Sequence, residues 1–466
     1  MASNRNLNNL ASAIAGPSAV ILIVAIGMTL FGFVMIYSAS APSAVSEGST
    51  PMVYMLDQVK FAAIGLVAGA IAWAVPYNSW RSDVLNYGIW GLGMAAIVAT
   101  MFMGAGSDEW GAQRWLVLGP ISLQPSEFVK IALVLTAAKL MVEWHEGAIG
   151  TGRMLALGFV LVIAPALFIY GTQSDLGTTA IIFAGILAVM WLGEIDWRVI
   201  VGLGVGAVLF AVASTATTAY RSNRMLFLDP WNDGQGGAGN GYQIIHSYYA
   251  FAQGGIFGVG IGNSTEKYLY LPESETDFIF SIIGEECGMV GALLILTAFI
   301  VLLACGLTIA RHAQDEFGTM VAGALSAMIF FQAALNMGSA VGAFPTTGKP
   351  LPFISSGGSS LIATFIMVGL ILSVSKGDGG FTLPIPLPSR GRKGDVYEQR
   401  RDNLRVIKTA DSQFGSSGGG RSGGYSKSHG TGLIGGSFSL SDPPGSSRSS
   451  KSSSTGRRGR SSRTRR

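Results

Sequence analysis

The sequence predicts an all-α polytopic membrane protein: about ten transmembrane helices, one long extracellular loop between spans seven and eight, and a disordered cytoplasmic C-terminal tail. Three observations carry that prediction. The 466 residues have a mean hydropathy of +0.45 and only 12% are charged, values far from those of a soluble globular chain. Apolar runs near the ~20 residues needed to cross a bilayer recur along it. Charge is also segregated: residues 377–466 hold 17 of the 31 Lys and Arg but 6 of the 27 Asp and Glu, leaving 14 basic and 21 acidic residues in 1–376.

The apolar runs lie at 17–40, 58–77, 85–104, 123–142, 154–171, 176–193, 199–218, 277–310, 317–343 and 359–375. The first is long and lacks a small-residue cleavage site, so it reads as a span rather than a leader. The eighth and ninth are long enough to tilt or to extend past the bilayer. Basic flanks stay in the cytoplasm, which puts the basic tail, 377–466, inside. With ten spans, the N-terminal segment 1–16 is inside too. Arg81, Arg153, Arg198 and Arg311 fall in loops on that side, whereas the first outer loop, 41–57, has no Lys or Arg. Cys287 and Cys305 both lie in the eighth run; they form no metal-ligand spacing or disulfide framework and read as small packing residues.

Between spans seven and eight the outer segment 219–276 carries Arg221, Arg224, Trp231, Asn232, Asp233 and a glycine-rich piece. Within it, Tyr242 to Phe257 places apolar residues at helical spacing, which suggests a helix lying against or dipping into the outer interface. So long a loop, rich in Tyr, Gly and paired charges, is more than a connector. Past Lys376, the proline-punctuated 381–388 is expected to be extended and 391–410 a short surface helix. From about 412 the Ser/Gly/Arg repeats cannot bury a core. Such a tail suits the anionic inner leaflet or a cytoplasmic protein partner, and no nucleic-acid partner is expected.

Four constellations can carry chemistry. In Glu273-Ser274-Glu275-Thr276-Asp277, three carboxylates crowd into five residues just before an apolar run. Asp277 is thereby expected at the N-terminal lip of a span, where a carboxylate is costly unless used. Gln113-Arg114-Trp115 precedes Gln124-Pro125-Ser126-Glu127-Phe128-Val129-Lys130; Glu127 and Lys130, three apart, share a helix face and can pair, either as a clasp for the bundle or to orient a substrate. Gln173-Ser174-Asp175-Leu176-Gly177-Thr178 opens span six, with Asp175 as a capping residue or a second acid facing the same cavity. Phe344 to Ser360 links spans nine and ten. Its small and hydroxyl residues, among them Ser355, Gly357 and Ser359, offer backbone N–H groups to an anion, and Lys349 adds a point charge suited to phosphate. A simple turn-rich loop is equally compatible. The glycines of Gly258-Val259-Gly260-Ile261-Gly262-Asn263 do not make a nucleotide site, because no strand or βαβ unit precedes them. Lys267, just beyond, is a candidate substrate contact.

These residues resemble a known family. GAQRW with QPSEFVK, QSDLGT, the run GVGIGNSTEKYLYLPESETDFIFSIIGEE, and PTTGKPLPFISSGGSSL are similar, in order and spacing over about 15–376, to the signatures of the SEDS membrane glycosyltransferases of shape, elongation, division and sporulation. GNSTEKYLYLPE is closer to the division branch than to the elongation branch. The resemblance implies a ten-helix SEDS fold over 17–376 that polymerises lipid II at the outer face of the bacterial cytoplasmic membrane, at the division septum. It puts the family's essential aspartate on Asp277 and its paired acid and base on Glu127 and Lys130. It implies a class B penicillin-binding protein of the FtsI type as transpeptidase partner, with other division proteins. Three positions depart from the family pattern: Glu275 stands for the usual His, Ser174 for Pro and Ser356 for Tyr. Glu275 is expected to raise the pKa of Asp277 by like-charge repulsion.

The reading is a glycosyltransferase in which Asp277 is the general base. Arg221, Lys267 or Lys349, or a divalent cation (Mg or Mn), would stabilise the departing pyrophosphate; no metal ligands are assigned. A lipid II flippase with the same topology, or a non-catalytic division scaffold, are the alternatives.

Overall fold

The computed structural model describes residues 16–105, 113–119, 121–215, 227–239 and 241–377. The chain divides into two units, Met1–Ile385 and Pro386–Arg466, and every described residue belongs to the first. Arg221, the extended stretch and helix expected at 381–410, and the Ser/Gly/Arg repeats lie outside the described residues.

The main helices, in order, are α1 (Pro17–Ala39), α2 (Pro51–Ala74), α3 (Asp83–Met103), α4 (Pro125–His145), α5 (Thr151–Gln173), α6 (Leu176–Leu192), α7 (Trp197–Thr215), α8 (Tyr242–Gly254), α9 (Ile279–Glu286), α10 (Gly288–Arg311), α11 (Glu316–Ala340) and α12 (Gly358–Lys376). Among the described residues, seven are long and apolar enough to cross a membrane: α1, α2, α3, α5, α10, α11 and α12. The shorter apolar α6 and α7, with α4, bring the bundle to the expected ten positions. Helix α4 has the length but carries Glu127, Lys130, Lys139 and Glu143. It is nonetheless almost wholly buried, and with α11 and α12 it forms the centre of the bundle.

The starts of these helices follow local chemistry. Proline opens α1, α2 and α4, where its missing N–H removes no helical bond. The carboxylate of Asp315 accepts the Gly318 N–H at 2.7 Å to cap α11, and Asp175 caps α6 through the Thr178 N–H at 2.9 Å. Within α5 a π turn spans Phe159–Ile163. Pro165 has no N–H for the helical ladder, and the Leu161 carbonyl accepts the Trp90 indole N–H from α3 at 2.7 Å.

One expected span is broken. The run 277–310 is two helices, α9 and α10, parted at Cys287 where Gly288 takes φ 68°. All eight residues of α9 are buried. Asp277 therefore precedes a short buried helix, not a membrane span. The break lies in one glycine's backbone angle, directly after the two acids, Glu285 and Glu286, that interrupt the apolar run.

The helix expected within 242–257 is α8, which packs on the bundle, burying Ile244, Ile245, Ser247 and Ala250. The Ser247 hydroxyl donates to the Ala340 carbonyl at 2.6 Å and lies 2.6 Å from the Ser281 hydroxyl. Before it, the half-buried Asp233 carboxylate gathers the glycine-rich piece by accepting the N–H groups of Gln235, Gly237, Gly239 and Gly241. The N–H of Gly237, then that of Gln235, holds this carboxyl down at about 2.

The two ends of the bundle differ. At one, Arg81 pairs with Glu146, and His145 Nδ1 lies 2.8 Å from Glu316 Oε2. The other end, where α4 and α6 begin, carries Glu127 and Asp175. There a small antiparallel hairpin, β1 (Leu116–Leu118) and β2 (Ile121–Leu123), sets Val117 opposite Ser122 and feeds the chain into α4.

Candidate active site

Four charged side chains from three segments meet in the buried end of the bundle. Lys130 Nζ lies 2.5 Å from Glu127 Oε2 and 2.8 Å from Gln332 Oε1. Lys349 Nζ lies 3.2 Å from Glu127 Oε1 and 2.8 Å from Asp175 Oδ2. Asp175 Oδ2 also accepts from Gln124 Nε2 at 3.1 Å and from the Thr178 hydroxyl at 2.7 Å. All four ions are at most 3% exposed. Two acids and two bases make the quartet neutral, the condition under which buried charges are tolerable.

Burial alone would raise the Asp175 carboxyl, but Lys349 and then Arg114 outweigh it and hold it at about 2. Burial would likewise lower Lys349, yet Asp175 and Glu127 push it above the ordinary lysine value. Gly177 makes room for this arrangement: a Cβ there would sit 2.6 Å from Lys349 Cγ.

Asp277 is half-buried. Asn336 Nδ2 donates to the Asp277 carbonyl and to the Lys349 carbonyl, each at 2.9 Å, so one α11 side chain ties the two segments together. A Cβ at Gly348 would lie 3.7 Å from Asp277 Oδ2. The Ser355 hydroxyl donates to the Thr276 carbonyl at 2.6 Å and accepts the Leu351 N–H at 2.8 Å. The Ser356 N–H donates to the Glu275 carbonyl at 2.9 Å. Gln58 of α2 donates to the Ser355 carbonyl at 2.9 Å and accepts the Gly357 N–H at 3.4 Å. Ser359 accepts the Gln124 N–H at 2.9 Å.

The segment 344–360 thus joins α2, α4, α11 and the turn that carries Asp277 into one frame. Among the described residues, four of the five non-glycine residues with positive φ lie in the loops of this site: Phe353 in the segment itself, Leu269 and Glu273 in the stretch before Asp277, and Ser174 beside Asp175. Such strain persists where surrounding contacts over-determine the backbone.

The expected residues are distributed unevenly. Glu127, Lys130, Asp175 and Lys349 come together, and Ser355, Gly357 and Ser359 build the frame. Lys349 is committed to two carboxylates and is not available as a point charge for phosphate. Arg114 is half-buried, donating Nε to the Gln173 carbonyl at 2.7 Å and Nη2 to the Ser174 carbonyl at 3.3 Å, which leaves donors of its five to spare.

Lys267 goes elsewhere, buried against Glu286 at 2.9 Å. Burial, then the carboxylates of Glu273 and Glu47, raises Glu275 above the ordinary range. The like charges acting on it are thus its neighbour and the first outer turn. Ser174, at φ 49°, holds a conformation closed to proline, so this departure from the family pattern changes the backbone. Among the described residues no three His, Cys, Asp or Glu are grouped to hold a metal ion.

Sequence reasoning missed Gln332 and Asn336. The signal was present: two amides four apart share one face of an otherwise apolar helix.

A profile of the FtsW, RodA and SpoVE cell cycle proteins matches residues 18–378. The chain is 35% identical to the Probable peptidoglycan glycosyltransferase FtsW of Trichlorobacter lovleyi over 362 residues, covering 77% of this chain and 93% of that one. It is 36% identical to the stage V sporulation protein E of Bacillus subtilis over 365 residues, covering 77% and 97%. Among solved structures, RodA of Thermus thermophilus matches at TM-score 0.56 and 27% identity over 76% of this chain and 95% of that one. A chain of a peptidoglycan synthase complex that coordinates polymerization and crosslinking matches at TM-score 0.59 and 26% identity, over 76% and 96%.

Proposed function

The chain belongs to the family of FtsW, RodA and SpoVE cell cycle proteins, and from that premise we propose how its site works. It is an FtsW-like, multi-pass membrane peptidoglycan glycosyltransferase. Its substrate is lipid II, its catalytic body is 17–376, and its basic tail, 377–466, lies in the cytoplasm with the N-terminus. It acts at the division septum beside a class B penicillin-binding protein that cross-links the product; the likeness to a peptidoglycan synthase complex supports that pairing.

Asp277 is the general base. It takes the proton of the acceptor GlcNAc 4-hydroxyl as that oxygen attacks the anomeric carbon of the donor MurNAc. The bond from that carbon to phosphate breaks with inversion, and undecaprenyl pyrophosphate departs. One observation carries this reading: Asn336 ties the backbone of the half-buried Asp277 to that of Lys349, a member of the neutral ion quartet. A frame that ties the Asp277 backbone to α11 and to the 344–357 segment fixes where its carboxylate stands.

Arg114 and Arg221 are the cations assigned to the leaving pyrophosphate. Among the described residues no group of three or more His, Cys, Asp or Glu is placed to hold a divalent ion.

The test reconstitutes the protein with its penicillin-binding partner and supplies lipid II on the outer face only. Glycan chains are expected from the parent and none from Asp277→Asn, with folding and partner binding intact. Wild-type rates from Asp277→Asn would sink the assignment. Translocation without chains would make the protein a flippase, and neither activity a scaffold.

A further inference from the structure

The glycine-rich stretch 254–267 and the paired acids that end α9 have no part in the chemistry above, yet they are among the most tightly organised features of the molecule. Glu285 and Glu286 close a helix at its C-terminus, where the dipole disfavours negative charge, and both are buried. Glu285 is bound by the Ser264 hydroxyl at 2.5 Å and the Thr265 N–H at 2.6 Å. Glu286 Oε1 is bound by Lys267 Nζ at 2.9 Å and the Ser38 hydroxyl of α1 at 2.6 Å. Lys267 Nζ also reaches the Gly262 carbonyl at 2.7 Å.

The backbone repeats the clasp. The N–H groups of Val259 and Gly260 donate to the carbonyls of Glu285 and Glu286, each at 3.0 Å, and Met289 and Val290 donate to Gly255 and Ile256 at 2.9 and 3.1 Å. Gly255, Gly258, Gly260 and Gly262 all take positive φ, which lets the strap turn around the helix end. Stability alone is a poor reason for such a pair. A buried ion pair is often replaceable by apolar residues without loss, and Glu286 Oε2 is buried with no hydrogen-bond partner among the described residues.

What the clasp does hold is the far end of α9. The helix is about 12 Å long at ~1.5 Å per residue, is buried along its whole length, and starts two residues after Asp277. We propose that Glu285, Glu286 and Lys267 are positioning residues for Asp277. By anchoring α9 to the glycine strap and to α1, they fix where the carboxylate stands over its substrate. This rests on Asp277 being the base, and no proton or bond passes through the clasp itself.

The test compares Lys267→Met/Glu286→Leu with the parent and with Asp277→Asn, in the same reconstituted complex, measuring kcat and KM for lipid II and the melting temperature. Melting is expected to hold, because both charges go together. KM is expected to hold as well, while kcat falls about ten- to hundredfold, the scale of a ~1 Å misplacement. A merely structural clasp would move melting and KM along with kcat. Wild-type kcat in the folded double variant, with Asp277→Asn inactive, overturns the positioning role and leaves the base assignment standing. Activity in Asp277→Asn overturns both. Should the double variant not fold, the isosteric Glu285→Gln and Glu286→Gln carry the same criterion.

Discussion

Lys349 shows how much one side chain can be asked to hold. It sits between Glu127 and Asp175 with almost no exposure, so Lys349→Met leaves two buried carboxylates sharing Lys130. Removing one partner of a buried ion pair costs about 3–5 kcal/mol. The variant should melt well below the parent in detergent, and Lys349→Met/Asp175→Asn should recover part of the loss by restoring neutrality. Glu275 behaves in the opposite sense. Its folded pKa is raised, first by burial, so its contribution to stability is present below the unfolded value of ~4.3 and is lost as pH rises through the folded value. Glu275→Gln should therefore flatten the fall in melting temperature between acid and neutral pH; an unchanged profile would remove that account. The Glu127–Lys130 pair was legible from its spacing of three. The Lys349–Asp175 pair was not, because nothing in a linear sequence joins positions 174 residues apart.

At the scale of the element, legibility follows the length of the signal. Nine of the ten apolar runs found one helix each, because each carries many residues of the same message, and the eighth became two. The hairpin 116–123 has three-residue strands, too short for alternation to declare itself, and the α9–α10 break rests on one glycine angle. Helix packing was equally hidden. Gly65 and Gly69 of α2 meet Phe365 and Gly369 of α12, and a Cβ on Gly69 would lie 2.6 Å from the Phe365 carbonyl oxygen. Small residues let helix backbones close together in a membrane. Gly69→Leu should destabilise by about 1–3 kcal/mol through overpacking, read as a lower melting temperature. Gly88→Leu on α3, where nothing lies within 4 Å, should melt like the parent.

For the whole molecule, the membrane class and the family were legible in the sequence, while the frame around Asp277 emerged only in three dimensions. Asp277 stood in a recognisable motif, whereas Asn336, Gln332 and Gln58 are ordinary polar residues until the bundle closes. That closure has an order in time. Glu127 enters the membrane 222 residues before Lys349 is made, and Asp175 enters 174 residues before it. Glu127 has Lys130 at once, but at ~5–20 residues per second of synthesis the ribosome takes roughly 9–35 s after Asp175 to deliver the lysine that neutralises it. During that interval the nascent bundle holds acids with too few bases, so the protein cannot finish folding until the last spans leave the translocon.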